Sequence, residues 1–340
     1  MINSINRYSF SIDILRNGVE YGKCEIYDSA TIRMDSSAEI KKSLSANLVL
    51  PQGVNFFKDK LRVKIIVNNT EYLSGEYYIG TVTKNIDDYG IESYYIEGYD
   101  GCYLPSRYRS ESILHVSKGE KYVDVIKLLL IQTGVIEIDV VDNQTVFKTE
   151  REDWEIGTSY LEIINDLLSE INYESLWFDN KGVAHINPKI KISGENIKYK
   201  YGTDSNVEVK TNIETDIYDK YNVFTAYVDS PDNDTVMIAT STNDDPDSIL
   251  SVQARGRIQA PPKRLDNIAN QAELQAYVDN LKLSSRSSIE TTTITTPLEG
   301  GHDINDIVQY KDNLYIETSW ELTLDSSTLM THNIKREVYL

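Results

Sequence analysis

Cysteine is nearly missing from this 340-residue sequence: only Cys24 and Cys102 occur, far apart, with no Cys-x-x-Cys pair and no His/Cys cluster. That spacing argues against a structural zinc site, and nothing in it demands a disulfide. The motifs of common chemistries are missing as well. There is no Gly-x-Ser-x-Gly, no His-Glu-x-x-His, no Walker loop and no Gly-x-Gly-x-x-Gly, so neither a nucleophile elbow nor a phosphate-cradling loop is expected. The four histidines, His115, His185, His302 and His332, are isolated in sequence. Without metal-ligand spacing they read as surface or strand-end residues. No apolar stretch follows the opening Met1–Tyr8, so no signal peptide is expected. The longest apolar run, Val125 to Ile131, is interrupted by Lys127 and is far too short to cross a bilayer. The expectation is a soluble protein made in the cytoplasm, with no membrane insertion. No short fixed-period repeat occurs, which argues against a solenoid or propeller.

Basic residues are also scarce, 34 against 53 acidic ones, for a net charge of −19. A protein that grips phosphate backbones needs clustered Lys and Arg, so that class is disfavoured. A surface past which nucleic acid slides remains compatible, because like charge prevents sticking. Solubility alone also accounts for the charge.

Tyrosine, by contrast, is abundant: 24 residues against 6 Phe. Tyr suits strands and half-buried surfaces. The length fits two or three domains. Residues 8–16 alternate, with Tyr8, Phe10, Ile12 and Ile14 on one face, and Asn17-Gly18 then marks a tight hairpin whose turn positions need positive φ. The returning strand is Val19 to Tyr27. Leu44 to Leu50, Leu61 to Val67 (turned by Asn68-Asn69), Tyr72 to Lys84 and Ile91 to Tyr99 continue the pattern. Residues 5–104 therefore read as a β domain of six or seven strands.

The period then changes. Ser117-Lys118-Gly119-Glu120 reads as a capping box for a helix near 118–133, closed by Gly134. Val135 to Val141 reads as a short strand. Ser159-Tyr160-Leu161-Glu162 caps a second helix, near 159–172, whose stripe is Tyr160, Ile163, Ile164, Leu167, Leu168 and Ile171. A hairpin over 173–187 follows, turning at Asp179 to Gly182, with Trp177 as a core residue of this small unit. Beyond Pro188 the chain is β-rich again. A polar excursion over 229–248 reads as a hairpin, and a third helix near 268–285 begins at Asn270-Gln271-Ala272-Glu273. The Thr-rich alternation from Ile289 to Pro297 suits an exposed strand.

Three features invite chemistry. Glu150, Glu152, Asp153 and Glu155 cluster beside Trp154 and could supply paired carboxylates for a cell-wall glycoside hydrolase. In so acidic a chain such clusters arise by chance, so no catalytic residue is assigned. Asp232-Asn233-Asp234 and Asn243-Asp244-Asp245-Pro246-Asp247 offer oxygen ligands for Ca²⁺ but lack the EF-hand pattern, and they read as solvated turns. Tyr and Trp residues could serve as stacking platforms of a carbohydrate-binding or adhesion β protein. No catalytic, cofactor-binding or metal-binding residue is assigned.

The order of elements resembles that of bacteriophage tail hub or baseplate hub proteins, found in tailed phages and in phage-derived contractile particles of Gram-positive bacteria. The resemblance rests on Tyr95-Ile-Glu-Gly-Tyr-Asp100 with Leu104 after it, and on Arg151-Glu-Asp-Trp-Glu-Ile-Gly-Thr-Ser-Tyr160 running into the helix Leu161 to Asn172. Leu176-Trp-Phe-Asp179 with Lys181-Gly-Val183 follows, and late in the chain a helix at 270–286 leads through a Thr-rich strand to Pro297-Leu-Glu-Gly-Gly-His-Asp-Ile304. The Trp154-to-Gly182 block carries most of the weight. The resemblance implies a mainly β, α+β fold in which two tube-type β-barrel domains frame a smaller α-containing insert. The expected division is 1–108, 109–200 and 201–340. It further implies a homotrimer whose six tube-like domains form a pseudo-hexameric ring joining the six-fold tail tube to the three-fold tip. Tail tube, tape-measure and tip, spike or baseplate proteins would be its neighbours, and DNA would pass without specific binding. The expected setting is a virion or tail-like particle assembled in the host bacterial cytoplasm. The family supplies no catalytic residues. Some relatives bear a cell-wall hydrolase domain, for which a chain ending at Leu340 leaves no room.

Overall fold

A computed structural model describes residues 7–152, 154–190, 192, 194–202, 208–212, 220–228, 236–265, 270–285, 287–326 and 329–339. In chain order the elements are β1 (Tyr8–Arg16), β2 (Val19–Asp35), β3 (Lys42–Val49), β4 (Lys60–Val67), β5 (Thr70–Ile86), β6 (Glu92–Tyr99), α1 (Tyr103–Arg107), α2 (Tyr122–Gln132), β7 (Ile138–Val140), α3 (Tyr160–Glu170), β8 (Trp177–Phe178), β9 (Ala184–Ile186), β10 (Ile197–Tyr201), β11 (Glu208–Asn212), β12 (Val223–Val228), β13 (Met237–Thr242), α4 (Val252–Arg255), β14 (Lys263–Arg264), α5 (Gln271–Ser285), β15 (Ser287–Pro297), β16 (Ile307–Tyr310), β17 (Asn313–Thr323) and β18 (Leu329–Tyr339). The fold is α+β and mainly β. The chain forms two compact units, one of Met1–Lys210 and Thr293–Ile334, the other of Thr211–Thr292 and Lys335–Leu340.

In the first unit six antiparallel strands pair in the order β1-β4-β5-β6-β3-β2, and β2 pairs with β1 to close the ring. Closure removes the free edges that an open sheet would leave. The alternation seen in the sequence fills the interior: Ile12, Ile14, Ile32, Met34, Leu44, Ala46, Leu48, Leu61, Val63, Ile65 and Ile96 are all buried. Asn17 and Gly18 turn β1 into β2 with φ of 52° and 78°, as the tight turn demands.

Strand β2 is longer than the alternation predicts. It runs on past Tyr27 to Asp35, because a register shift against β3 between Ile26 and Ala30 absorbs the irregular Tyr27-Asp28-Ser29. Its far half, Thr31 to Asp35, pairs with Ser319 to Thr323 of β17. The sheet thus continues from the ring through β17 to β18 and β15, with β16 on β17 and β10 parallel to β16. Tyr201, Ile294, Val308, Tyr310, Tyr315 and Ile334 form the apolar cluster there. The Thr-rich strand is not the exposed strand its composition suggests: Thr292, Ile294 and Thr296 are buried. The Thr296 hydroxyl is satisfied there beside His332 Nε2, whereas the buried Thr292 hydroxyl has no hydrogen-bond partner among the described residues.

The helical part of this unit has its own core, centred on α2, α3 and the three-stranded sheet β7-β9-β8. Ser159 caps α3 as expected, its Oγ accepting from the Glu162 amide at 3.1 Å. Leu161, Ile163, Ile164, Leu167 and Leu168 of α3 are buried, each contributing roughly 1.5–3 kcal/mol of burial. The box at Ser117 does not cap α2. That helix starts at Tyr122, after Gly119 turns the chain with φ 91°, and Glu120 instead accepts from the Ser117 amide. Gly134 ends α2 with φ 91°. Trp177 is half-buried rather than central to the small unit. It stacks on His185 with centroids 4.2 Å apart, and it also packs against the core of the six-stranded ring.

In the second unit β12 pairs antiparallel with β13 and parallel with β14, and α5 supplies buried Leu274 and Val278 against Phe224, Ala226, Val228 and Ala239. Asn270 caps α5, its Oδ1 accepting from the Glu273 amide.

Candidate functional site

A dense polar site lies in the first unit, around the connection from β15 to β16. Its sequence is Leu298-Glu-Gly-Gly-His-Asp-Ile-Asn-Asp306, which includes the late motif singled out above. Leu298 and Ile304 anchor the loop by entering the apolar cluster of the six-stranded ring. Gly300 passes against the ring of Tyr72. A Cβ there would sit 2.4 Å from Tyr72 Cγ, so the close approach requires glycine.

Between these anchors the loop places three charged or titratable groups. Asp303 Oδ1 accepts from Lys42 Nζ at 2.6 Å, and Asp303 Oδ2 accepts from the Asn180 amide at 3.1 Å. Lys42 is 1% exposed and also donates to Asn180 Oδ1 at 2.8 Å. Asn180 Nδ2 donates back to the His302 carbonyl. Lysine at this position follows the inward face of β3, which it shares with Leu44, Ala46 and Leu48. The turn bearing Asn180 is held by Asp179 Oδ1, which accepts from the amides of Lys181 and Val183. Beside it, Asp100 accepts from the amides of Lys42 and Cys102. Burial raises the Asp100 carboxyl to about 6 despite the nearby lysine. Asp306, paired with Lys198 Nζ at 3.0 Å, is raised by burial to about 6 as well.

The second half of the site is a His-Glu-His group. Glu317 of β17 is fully buried, and its two oxygens face His302 Nδ1 at 2.9 Å and His332 Nδ1 at 2.5 Å. Burial pushes the Glu317 carboxyl upward, but the two imidazoles outweigh it and hold the group below its usual value. His302 stacks on Tyr199 at 3.7 Å, and its Nε2 lies 3.4 Å from the Tyr201 hydroxyl. His332 Nε2 lies 2.9 Å from Thr296 Oγ1. The reading of every histidine as a surface or strand-end residue therefore fails for His302 and His332, which are 3% and 1% exposed. Each lies fifteen positions from Glu317, a separation with no ligand-spacing signal. The loop after β15 and the neighbouring strands β17 and β18 bring them together.

The acidic cluster near Trp154 does not assemble into a carboxylate pair among the described residues. Glu150, Glu152 and Glu155 are exposed, Glu152 pairs with His115 at 2.7 Å, and Asp153 lies outside the described residues. Trp154 is buried, its Nε1 donating to Asp166 at 3.2 Å, beneath the Arg151 guanidinium at 4.6 Å. The loop Asp232-Asn233-Asp234 also lies outside the described residues. In the other acidic loop Asn243 is fully buried and donates to Ser248 Oγ, while Asp245 Oδ1 accepts from the Asp247 amide, which is turn chemistry. Cys24 and Cys102 are both free thiols. Burial raises both, Cys24 to about 12. No helix of the described residues is long and apolar enough to cross a membrane.

No family model matches the sequence, and no similar protein is found among curated sequences. Solved structures do match. The tail protein from Neisseria meningitidis MC58 aligns with a TM-score of 0.66 and 13% identity, over 96% of this chain and 97% of that one. The 43 kDa tail protein of prophage MuSo2 from Shewanella oneidensis gives 0.64 and 12%, over 96% and 98%. A prophage tail protein from Listeria monocytogenes EGD-e gives 0.59 and 14%, over 96% and 94%. Over nearly the whole chain the fold thus follows that of these phage and prophage tail proteins.

Proposed function

We propose that this protein is a structural, non-enzymatic hub of a phage tail or phage tail-like particle. The observation that carries the reading is the fold match, which extends over 96% of this chain and 97% of the Neisseria tail protein rather than over one module. In this reading the chain assembles as a homotrimer. Residues 1–108 and 201–340 supply tube-type β-barrel parts of a ring, with 109–200 as the insert. The ring joins the six-fold tail tube to the three-fold tip and meets tape-measure and baseplate or spike proteins. The net charge of −19 supports a channel that lets DNA or another payload pass without holding it. The polar junction around Asp303 then serves mechanics rather than chemistry, because it ties strand β3 of the ring, the turn after β8 and the β15–β16 loop together.

Negative-stain electron microscopy of the purified full-length protein tests this assignment. Three-fold rings with a central channel are expected, and a population of isolated particles without rings at every concentration would count against it.

A further inference from the structure

We infer that His302, Glu317 and His332 form a binding site for one divalent transition-metal ion of the zinc class, buried in the first unit. The inference does not depend on the proposed assembly.

Protons have few places to sit in this group. The Thr296 hydroxyl has one hydrogen and three polar neighbours: the Pro297 carbonyl at 3.0 Å, His332 Nε2 at 2.9 Å and the Tyr201 side chain. A carbonyl can only accept, so the first two contacts are satisfied together when Thr296 donates to Pro297 and accepts from His332 Nε2–H. In that arrangement the remote nitrogen of His332 carries a hydrogen. Its Nδ1 then turns a lone pair toward Glu317 Oε1 at 2.5 Å, where an ionised carboxylate offers only lone pairs of its own. Two facing lone pairs at that distance repel, and a shared cation relieves this: a proton on the line between them, or a metal ion beside it with the two atoms parted to roughly 3 Å. A second imidazole nitrogen, His302 Nδ1, meets the other carboxylate oxygen at 2.9 Å. The side chains of all three residues are at most 1% exposed, so solvent does not screen the arrangement.

A proton or a metal ion could fill that role, and three features favour the metal. Two imidazoles and one carboxylate are a donor set that zinc accepts, leaving one tetrahedral position for a water. The three donor atoms lie within 4.8 Å of one another, and a tetrahedral ion about 2 Å from each would set them roughly 3.3 Å apart, which opens the two His–Glu contacts slightly. Each remote imidazole nitrogen is also already held by an oxygen, Tyr201 for His302 and Thr296 for His332, and metal-bound histidines are oriented in this way. Such an ion would staple the 298–306 loop to β17 and β18.

The test uses the full chain, stripped with chelator and titrated with Zn²⁺ by calorimetry, and separately with Co²⁺ by absorbance. The expected result is one Zn²⁺ per chain, a higher Tm on Zn²⁺ addition, and the visible bands of tetrahedral Co²⁺. His332→Asn and Glu317→Gln should each weaken Zn²⁺ binding by at least tenfold. The control His115→Asn/His185→Asn should bind as the parent does. Circular dichroism establishes that the variants fold, and if they do not, the Co²⁺ spectrum of the parent still decides. A parent protein with no stoichiometric metal and an unmoved Tm would show that the group carries a proton only. Variants that bind as tightly as the parent would likewise overturn the site.

Discussion

Lys42 Nζ lies 2.6 Å from Asp303 Oδ1 and 2.8 Å from Asn180 Oδ1, so one buried ammonium joins three stretches of chain separated by 138 and 261 positions. Its own desolvation is costly, and only a well-made set of partners offsets it. Removing one side is therefore worse than removing both. Lys42→Met should destabilise the protein by about 3–5 kcal/mol. The double variant Lys42→Met/Asp303→Asn should lose less than the sum of the two single changes. Urea unfolding of the four proteins measures the cycle, and additive losses would show that the pair is not coupled.

Gly300 is expected to be intolerant for a steric reason. An added methyl would meet Tyr72 Cγ, Cδ2 and Cβ at 2.4, 2.5 and 2.8 Å, and the last of these is too near the backbone to swing away. Gly300→Ala should cost about 1–3 kcal/mol, the usual range for overpacking. Tyr72→Ala in the same chain should recover part of that loss. Thermal melts of the single and double variants check this, and equal melting points for Gly300→Ala and the parent would refute it.

The junction should also shape stability against pH. Asp100 and Asp306 have folded-state values of about 6, above the ordinary 3.8. Between those limits the folded state binds more protons than the unfolded state, so stability falls as pH rises from about 4 to 6. Each group accounts for on the order of 2 to 3 kcal/mol across that window. Asp179 acts with the opposite sign: it is lowered to about 2, with burial opposed by its bonds to His185 and to the Val183 and Lys181 amides. Its contribution is present above about 4 and is lost as pH falls toward 2. Asp100→Asn should therefore flatten the stability profile between pH 4 and 6 and leave the fall below pH 4 intact. Urea midpoints at half-unit pH steps would show it, and an unchanged slope in the variant would exclude Asp100 as its source.

Local signals in the sequence carried well into the structure wherever the deciding physics was local. Asn17-Gly18, Ser159, Gly134 and the alternation of Leu44 to Leu48 act over a few residues, and each does what its chemistry dictates. The box at Ser117 misled because Gly119 allowed a left-handed turn between it and the helix. The site itself was hidden for another reason. Lys42 lies just before the alternation read from Leu44, and nothing local marks it as buried; its partners Asp303 and Asn180 come from distant parts of the chain. His302 and His332 read as isolated because only the pairing of strands and the path of the loop bring them to Glu317. The quoted motif Leu298 to Ile304 marked the right segment without revealing what its His and Asp touch.

The proposed role rests most directly on assembly state, and light scattering after size exclusion over a hundredfold range of concentration measures it. A particle of three times the 38.8 kDa chain mass is expected, alone or in equilibrium with monomer. A dimer that persists at every concentration would contradict it.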